Sequence, residues 1–145
     1  MKDKIRMEYR LVMDGATPPK RFRDTDAAYD IYAAEDKIVH GHTYQFIQTG
    51  IQCAAPVGYY WTIESRSGLI KNGVFAMRGI IDGTYNGNVI ICLHNAGNDH
   101  YTVRQGDRIA QMILHEVVEP EFDEVEEFSE EYDQRGAKGW GSSGT

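Results

Sequence analysis

The chain has 145 residues, with 15 basic and 22 acidic side chains and a formal net charge of −7. This length predicts one compact domain that buries a sizeable core without disulfides or a structural metal. The start of the chain lacks the apolar segment of a signal peptide, no stretch is apolar enough to span a membrane, and no basic stripe is interleaved with aromatic residues. We therefore expect a cytoplasmic protein that binds neither membranes nor nucleic acids.

The hydrophobic pattern has mostly a period of two residues, which is typical of β-strands. The alternation is clearest at Ile5, Met7, Tyr9, Leu11, Trp61 and Ile63. Two continuous apolar runs, NVIICLHN at 88–95 and RIAQMILHEVV at 108–118, predict strands buried on both faces. Turn signals such as Asp14-Gly15 and Gly106-Asp107 separate these stretches, and a short helix fits within SGLIKNGVFA at 67–76. Many short strands with regular turns predict an all-β sandwich or barrel.

The two cysteines, Cys53 and Cys92, each lie in an apolar, strand-like stretch and form no Cys-x-x-Cys motif. Their context favours buried free thiols over a disulfide or a zinc site.

The C-terminal part of the chain differs in composition from the rest. Between Glu116 and Asp133 there are ten acidic residues and no Lys or Arg, so the remainder of the chain is slightly basic. The final RGAKGWGSSGT is rich in glycine and serine, which predicts a mobile arm unless a ligand orders it. We therefore expect a β-barrel domain at 1–115, an acidic tether at 116–134 and a mobile arm at 135–145.

Two stretches place charged residues where an anion or a metal could bind. Asp30 interrupts a strand-like segment, AAYDIYAA at 27–34. It is either buried with a partner or near a metal, or it is an exposed strand residue or the partner of a turn. Arg66, Ser67 and Gly68 combine a guanidinium, a hydroxyl and an accessible backbone, which suits phosphate oxygens. An ordinary surface turn would explain the same three residues.

Gln111 interrupts the apolar run of VRQGDRIAQMIL at 103–114. Its amide either satisfies a neighbouring backbone group or faces a ligand. The adjacent Asp107 and Arg108 are expected to pair with each other.

GIIDGTYNG at 79–87 ends an apolar run on Asp82 and carries an aromatic ring at Tyr85. The following Asn86-Gly87 predicts a tight β-hairpin turn. Asp82 could act as a general base beside a flat ring, or both residues could belong to a plain turn.

The C-terminal arm superficially resembles a phosphate-binding loop, but no lysine follows its last glycine, so we do not expect a Walker A site. Its Arg135, hydroxyl groups and Trp140 could instead fold over a phosphorylated, ring-bearing ligand as a lid.

Taken together and in this order, the five stretches closely resemble the five motifs of the trimeric dUTP pyrophosphatases (dUTPases), over about residues 5 to 145. The resemblance implies a jelly-roll-like β-barrel with a flexible C-terminal arm. It also implies a homotrimer with three active sites, each built from all three chains. The acidic tether would then carry the arm of one subunit to a neighbour's site.

The resemblance also implies roles for individual residues. Asp82 would activate the water that attacks the α-phosphorus of dUTP, releasing dUMP and pyrophosphate. Tyr85 would stack on the deoxyribose, and backbone groups near Gly79 and Ile90 would read the uracil. The phosphates would be held by Arg66, Ser67, Gly68, Gln111, Arg135, Ser142 and Ser143, and Trp140 would cover the uracil. Mg²⁺ would bind the triphosphate, with Asp30 contacting it only through water.

The chain departs from the usual family pattern at several positions, and Gly83-Thr84 stands where an acidic pair is common. Two other functions remain open. A trimeric nucleotide-binding regulatory protein, with an unknown protein partner, could keep the same residues. A dCTP deaminase shares the fold but typically has a glutamate after the aromatic residue, where this chain has Asn86.

Overall fold

The computed structural model describes residues 4–133, 136, 137 and 139, which form ten β-strands and one short helix. The elements are β1 Glu8–Leu11, β2 Tyr29–Tyr32, β3 Lys37–Val39, β4 Thr43–Ala54, β5 Tyr59–Glu64, α1 Ser67–Ile70, β6 Val74–Ala76, β7 Gly79–Ile81, β8 Asn88–Asn95, β9 Tyr101–Val103 and β10 Arg108–Glu116. The all-β prediction is confirmed, and the single turn of helix falls within the segment predicted to hold one. In the described part of the chain, no helix has the length and apolarity needed to cross a membrane.

The strands form two four-stranded antiparallel sheets and one two-stranded sheet. The orders are β1-β4-β8-β6, β2-β10-β5-β7 and β3-β9. Between the two larger sheets lies the core, whose largest fully buried side chains include Ile31, Ile47, Leu93, Ile109 and Met112. Strand periodicity produces this layering, because alternate residues on each strand point to the core.

The expectation that both continuous apolar runs are buried on two faces is wrong for β8 and for the end of the second run, where Val117 and Val118 lie beyond β10 and are 44% and 84% exposed. Val89, Ile91 and Leu93 point inward and are buried, whereas Ile90 between them is 44% exposed. The inward face of β8 packs in the core, but its outward face borders a cavity at the surface.

The alternation near the start of the chain does form a strand, but its apolar residues are not covered. β1 is the edge strand that pairs with β4, from Glu8 opposite Ala54 to Leu11 opposite Ile51. Tyr9 is 52% exposed and Leu11 is 48% exposed. A single chain therefore leaves an apolar edge open to pairing with another chain.

Residues 79–87 do not form the predicted β-hairpin. β7 pairs with β5 in one sheet, whereas β8 pairs with β4 and β6 in the other, so residues 82–87 cross from sheet to sheet. A two-residue hairpin turn of the Asn-Gly type needs positive φ at both residues, but neither Asn86 nor Gly87 has it. Positive φ occurs instead at Thr84, whose N–H binds the carbonyl of Ala55. We call residues 82–87 the crossover loop.

Both cysteines are free thiols, and Cys53 is buried while Cys92 is only partly buried. Burial raises the pKa of both thiols above the ordinary value. Both are therefore neutral at physiological pH.

After β10, residues 117–133 contain no helix or strand and carry exposed side chains. The exposed set includes large apolar residues, with Phe122 at 90% and Phe128 at 75%.

Candidate active site

The crossover loop borders a cavity of about 550 Å³ between β7 and β8. Four residues that the sequence singled out line it together: Gly79, Asp82, Tyr85 and Ile90. The structure therefore joins a carboxylate, an aromatic ring and two stretches of strand backbone in one concave site. Such a combination of a shaped pocket and a few polar groups is typical of a small-molecule site.

Local structure explains how the aromatic ring reaches this cavity. Tyr85 is 47% exposed, and its hydroxyl donates to the carbonyl of Asn88 over 3.3 Å. The ring also lies across Gly87, where an added Cβ would be only 2.3 Å from the tyrosine oxygen. A residue with a side chain at 87 would displace the ring.

Sequence reasoning missed other residues that line the same cavity, including Arg78 and Cys92. Arg78 directly precedes Gly79, and its Nε donates to Oε1 of Glu64 over 3.0 Å. This ion pair links β5 to the start of β7. No sequence motif marks it, because the partners come from different strands.

A second polar cluster forms around Asp30 on β2. Arg66 Nε donates to Oδ1 of Asp30 over 2.8 Å, and Arg108 Nη1 donates to Oδ2 over 3.4 Å. Arg66 also donates through Nη1 to the carbonyl of Arg108 over 3.2 Å. Asp30 is thus a paired carboxylate rather than an exposed strand residue.

The expected pairing of Asp107 with Arg108 is wrong. Asp107 Oδ2 accepts the backbone N–H of Arg104 over 2.8 Å and closes the turn, which leaves Arg108 to pair with Asp30. The local turn satisfies the carboxylate, so the arginine is used across the sheet.

Gln111 lies in the same row as Asp30, with which it pairs across β10 and β2. Its Nε2 donates to the carbonyl of Ser65 over 2.9 Å, so the amide satisfies a neighbouring backbone group. Ser67 and Gly68 begin α1 close to this bond and are exposed. A Cβ at Gly68 would meet nothing within 4 Å, so the backbone there is open to a ligand.

Within one chain the two clusters lie far apart. Asp30 is on β2 and Asp82 follows β7. Strands β2 and β7 are the two opposite edge strands of one four-stranded sheet. Asp82 follows Ile81, which lies opposite Trp61, whereas Asp30 lies in a row with Gln111 and Glu64 at the other end of β5. With a rise of about 3.3 Å per residue and about 4.8 Å between strands, Asp82 and Asp30 are separated by roughly 20 Å.

Four of the predicted site residues, Arg135, Trp140, Ser142 and Ser143, lie outside the described residues.

The dUTPase family model matches residues 14–144, nearly the whole chain. The chain belongs to the dUTPase family. The deoxyuridine 5'-triphosphate nucleotidohydrolase of Yarrowia lipolytica is 39% identical over 132 residues, which cover 90% of this chain and 84% of that dUTPase.

Solved dUTPase structures agree with this assignment. The dUTPase of Staphylococcus bacteriophage 80alpha, in a G164S mutant with dUpNHpp, superposes with a TM-score of 0.88 at 30% identity and covers 97% of this chain and 99% of its own. The D95N mutant dUTPase of phage phi11 of S. aureus gives a TM-score of 0.79 at 27% identity, over 85% of this chain and 98% of its own, and its structure reveals the molecular details for the coordination of a structural Mg(II) ion. The predicted family and jelly-roll-like fold are therefore confirmed.

Proposed function

We propose that this chain hydrolyses dUTP to dUMP and pyrophosphate, with Asp82 as the general base. The observation that carries the proposal is the cavity that brings Asp82 and Tyr85 together with the strand backbone at Gly79 and Ile90. A carboxylate beside a nucleoside-sized cavity can activate a water, provided that the phosphate lies within reach.

The walls of the cavity suggest how the nucleoside is selected. Tyr85 offers a flat face to the deoxyribose, and a ring held close to the sugar leaves no space for a 2′-hydroxyl. Backbone N–H and C=O groups near Gly79 and Ile90 would pair with the uracil edge. A fixed backbone pattern rejects cytosine because its donors and acceptors are reversed, and a narrow slot rejects the methyl group of thymine.

The phosphates would bind at the second cluster, through Arg66, Ser67, Gly68 and Gln111. Of these groups, Arg66 would make the strongest hydrogen bonds to the phosphates. Asp30 holds its guanidinium in place, so the planar fork is preorganised for phosphate oxygens. Asp30 and Gln111 then act largely by holding this end of the site in shape.

We infer a homotrimer with shared active sites, and the distance between the two clusters supports the sharing. A general base must lie within hydrogen-bond reach of the attacking water, yet Asp82 and the phosphate cluster of one chain lie roughly 20 Å apart. The cavity of one subunit and the phosphate cluster of the next would complete one site. The uncovered apolar edge at Tyr9 and Leu11 supports burial against another copy.

Mg²⁺ would enter this site bound to the triphosphate of the substrate rather than to protein side chains. Both carboxylate oxygens of Asp30 are bonded to arginines, and the described residues hold no group of three or more His, Cys, Asp or Glu side chains that could cage an ion. Triphosphate oxygens and waters would supply the ligands, with Asp30 reaching only the water shell. When bound, the ion neutralises developing charge on the phosphates.

The C-terminal arm would close the site. Arg135, Ser142 and Ser143 would bind the triphosphate, and Trp140 would cover the uracil where the family usually has phenylalanine. Closure of this kind excludes water and completes the set of phosphate donors.

A pyrophosphate-release assay with dUTP, dCTP, dTTP and UTP, each with Mg²⁺, tests the proposal. We expect turnover of dUTP alone at a substantial rate. Pyrophosphate release from dCTP as fast as from dUTP would contradict the proposal, and release of ammonia from dCTP would favour a dCTP deaminase. Tight dUTP binding without turnover of any substrate would favour the nucleotide-binding regulatory protein.

A further inference from the structure

The crossover loop rests on the turn that joins β4 to β5, through three backbone contacts. Gly83 faces the carbonyl oxygens of Tyr59 and Pro56, and an added Cβ would lie 2.5 Å from the first and 3.2 Å from the second. Thr84 donates its N–H to the carbonyl of Ala55 over 2.8 Å. We call the carbonyls of Ala55, Pro56 and Tyr59 the loop seat.

The contact at Gly83 admits no side chain without movement of the backbone. A separation of 2.5 Å is shorter than real Cβ atoms show, and the opposing atom is a main-chain oxygen that cannot rotate away. The Tyr59 end of the turn is itself fixed, since the N–H of Tyr59 donates to the carbonyl of Pro56 over 3.1 Å. Only glycine lets the loop approach the turn this closely.

Thr84 shows that the loop is held in this shape by its surroundings. Its φ is +67°, a left-handed conformation that is unfavourable for a β-branched residue. A residue adopts such a conformation only where the surrounding structure imposes it. Here the bond to Ala55 and the close contact of the preceding glycine provide that restraint.

We propose that Gly83 is a positioning residue, because its contact with the loop seat sets where Asp82 and Tyr85 stand in the cavity. Asp82 directly precedes Gly83, and Tyr85 follows it by two residues, so a shift of the loop moves both. The proposal rests on the proposed function of these two residues. It also explains glycine at 83, where an acidic residue is common in the family, because the missing side chain permits a contact that a larger residue would block.

The test is Gly83→Ala, studied with the full-length chain and dUTP. The added methyl group must push the loop from the turn by several tenths of an ångström. Because water attack demands accurate geometry and ring stacking does not, we expect kcat to fall at least roughly tenfold, with a much smaller change in KM and in affinity for dUMP. A substitution that only destabilised the fold would not lower kcat while leaving KM almost unchanged.

Gly58→Ala is the matched control. Gly58 lies in the same turn with φ +87°, so alanine there is strained, but its Cβ would meet nothing within 4 Å. We expect a lower melting temperature and a kcat within about twofold of wild type. An equal loss of kcat in both variants would show that the turn tolerates no strain, and would overturn the specific role of Gly83.

A folded Gly83→Ala protein with wild-type kcat would also overturn the proposal. Amide hydrogen exchange of the wild-type protein provides a measurement that does not depend on the variant folding. The Thr84 N–H should exchange as slowly as strand amides, and rapid exchange would show that the seat does not hold the loop. Absence of dUTP turnover in the wild type would refute the proposed function itself, whereas normal turnover with an unaffected variant would refute the seat alone.

Discussion

Arg66 and Asp30 form a short, partly buried ion pair: Nε donates to Oδ1 over 2.8 Å, and the side chains are 21% and 13% exposed. Such a pair is weak evidence for stability, because desolvation of both charges offsets much of their attraction. The clearer effect of this ion pair is on the orientation of the Arg66 side chain. The carboxylate fixes the plane of the guanidinium at the end of the sheet where we propose that the phosphates bind.

Arg66→Lys should weaken substrate binding while leaving the fold intact. Lysine keeps the charge but loses the planar fork, so it cannot hold Asp30 and a phosphate in the same geometry. We expect KM for dUTP to rise by about tenfold, a loss typical of a charged hydrogen bond. Steady-state kinetics measure this change, with Arg6→Lys as the control at an exposed arginine.

Asp82→Asn should lower kcat by at least ~10²-fold, since an amide cannot accept the proton from the attacking water. Affinity for dUMP should stay close to wild type, because the shape of the cavity is preserved. Calorimetry and single-turnover kinetics separate these effects. Asp99→Asn, at an exposed turn, serves as the control, and near-normal turnover of Asp82→Asn would exclude Asp82 as the base.

Mixed oligomers test whether sites are shared between chains. Asp82→Asn inactivates the cavity half and Arg66→Ala the phosphate half, so each homo-oligomer should be nearly inactive. Co-expressed chains that assemble at random would restore roughly one quarter of the sites if each site joins two chains. If each chain carried a complete site, mixing would restore nothing.

Removal of residues 135–145 should abolish efficient turnover without unfolding the barrel. Among the described residues the buried core extends in sequence only to Met112, so the deletion removes no buried core side chain and the melting temperature should barely change. We expect kcat/KM for dUTP to fall by at least ~10²-fold through loss of lid closure. Full activity of the truncated protein would contradict the lid.

Asp36 provides a prediction for acid stability. The backbone N–H of Gln105 and then the side chain of Arg104, at 2.8 and 3.1 Å, lower its pKa below the ordinary value of 3.8. A lowered carboxyl pKa adds stability that is present above about pH 4 and is lost as the pH falls through the folded-state value. At pH 7 the wild type should therefore have a larger free energy of unfolding than Asp36→Asn, and this difference should shrink as the pH falls below the ordinary pKa of 3.8. A difference that grows in acid would contradict this origin.

Sequence patterns predicted much of the fold because they depend on neighbouring residues. Alternation at Trp61 and Ile63 predicted a strand, and both side chains are buried in β5. Asp82 and Tyr85 were singled out together, and they share a cavity because only a few residues of loop connect them. The same local reasoning failed at Asp107 and Arg108, where adjacency in sequence suggested a pair that the turn geometry prevents.

By itself, then, the sequence determined the all-β character, several of the strands and the order of the five motifs, since side-chain periodicity and turn chemistry act over a few residues. Only the tertiary structure decided which sheet each strand joins, and so made residues 82–87 a crossover loop rather than a hairpin. It also brought Arg108 to Asp30 across 78 positions and set Gly83 against the carbonyl of Tyr59. These contacts join segments remote in sequence, and their partners are selected by packing of the whole sheet rather than by any local pattern.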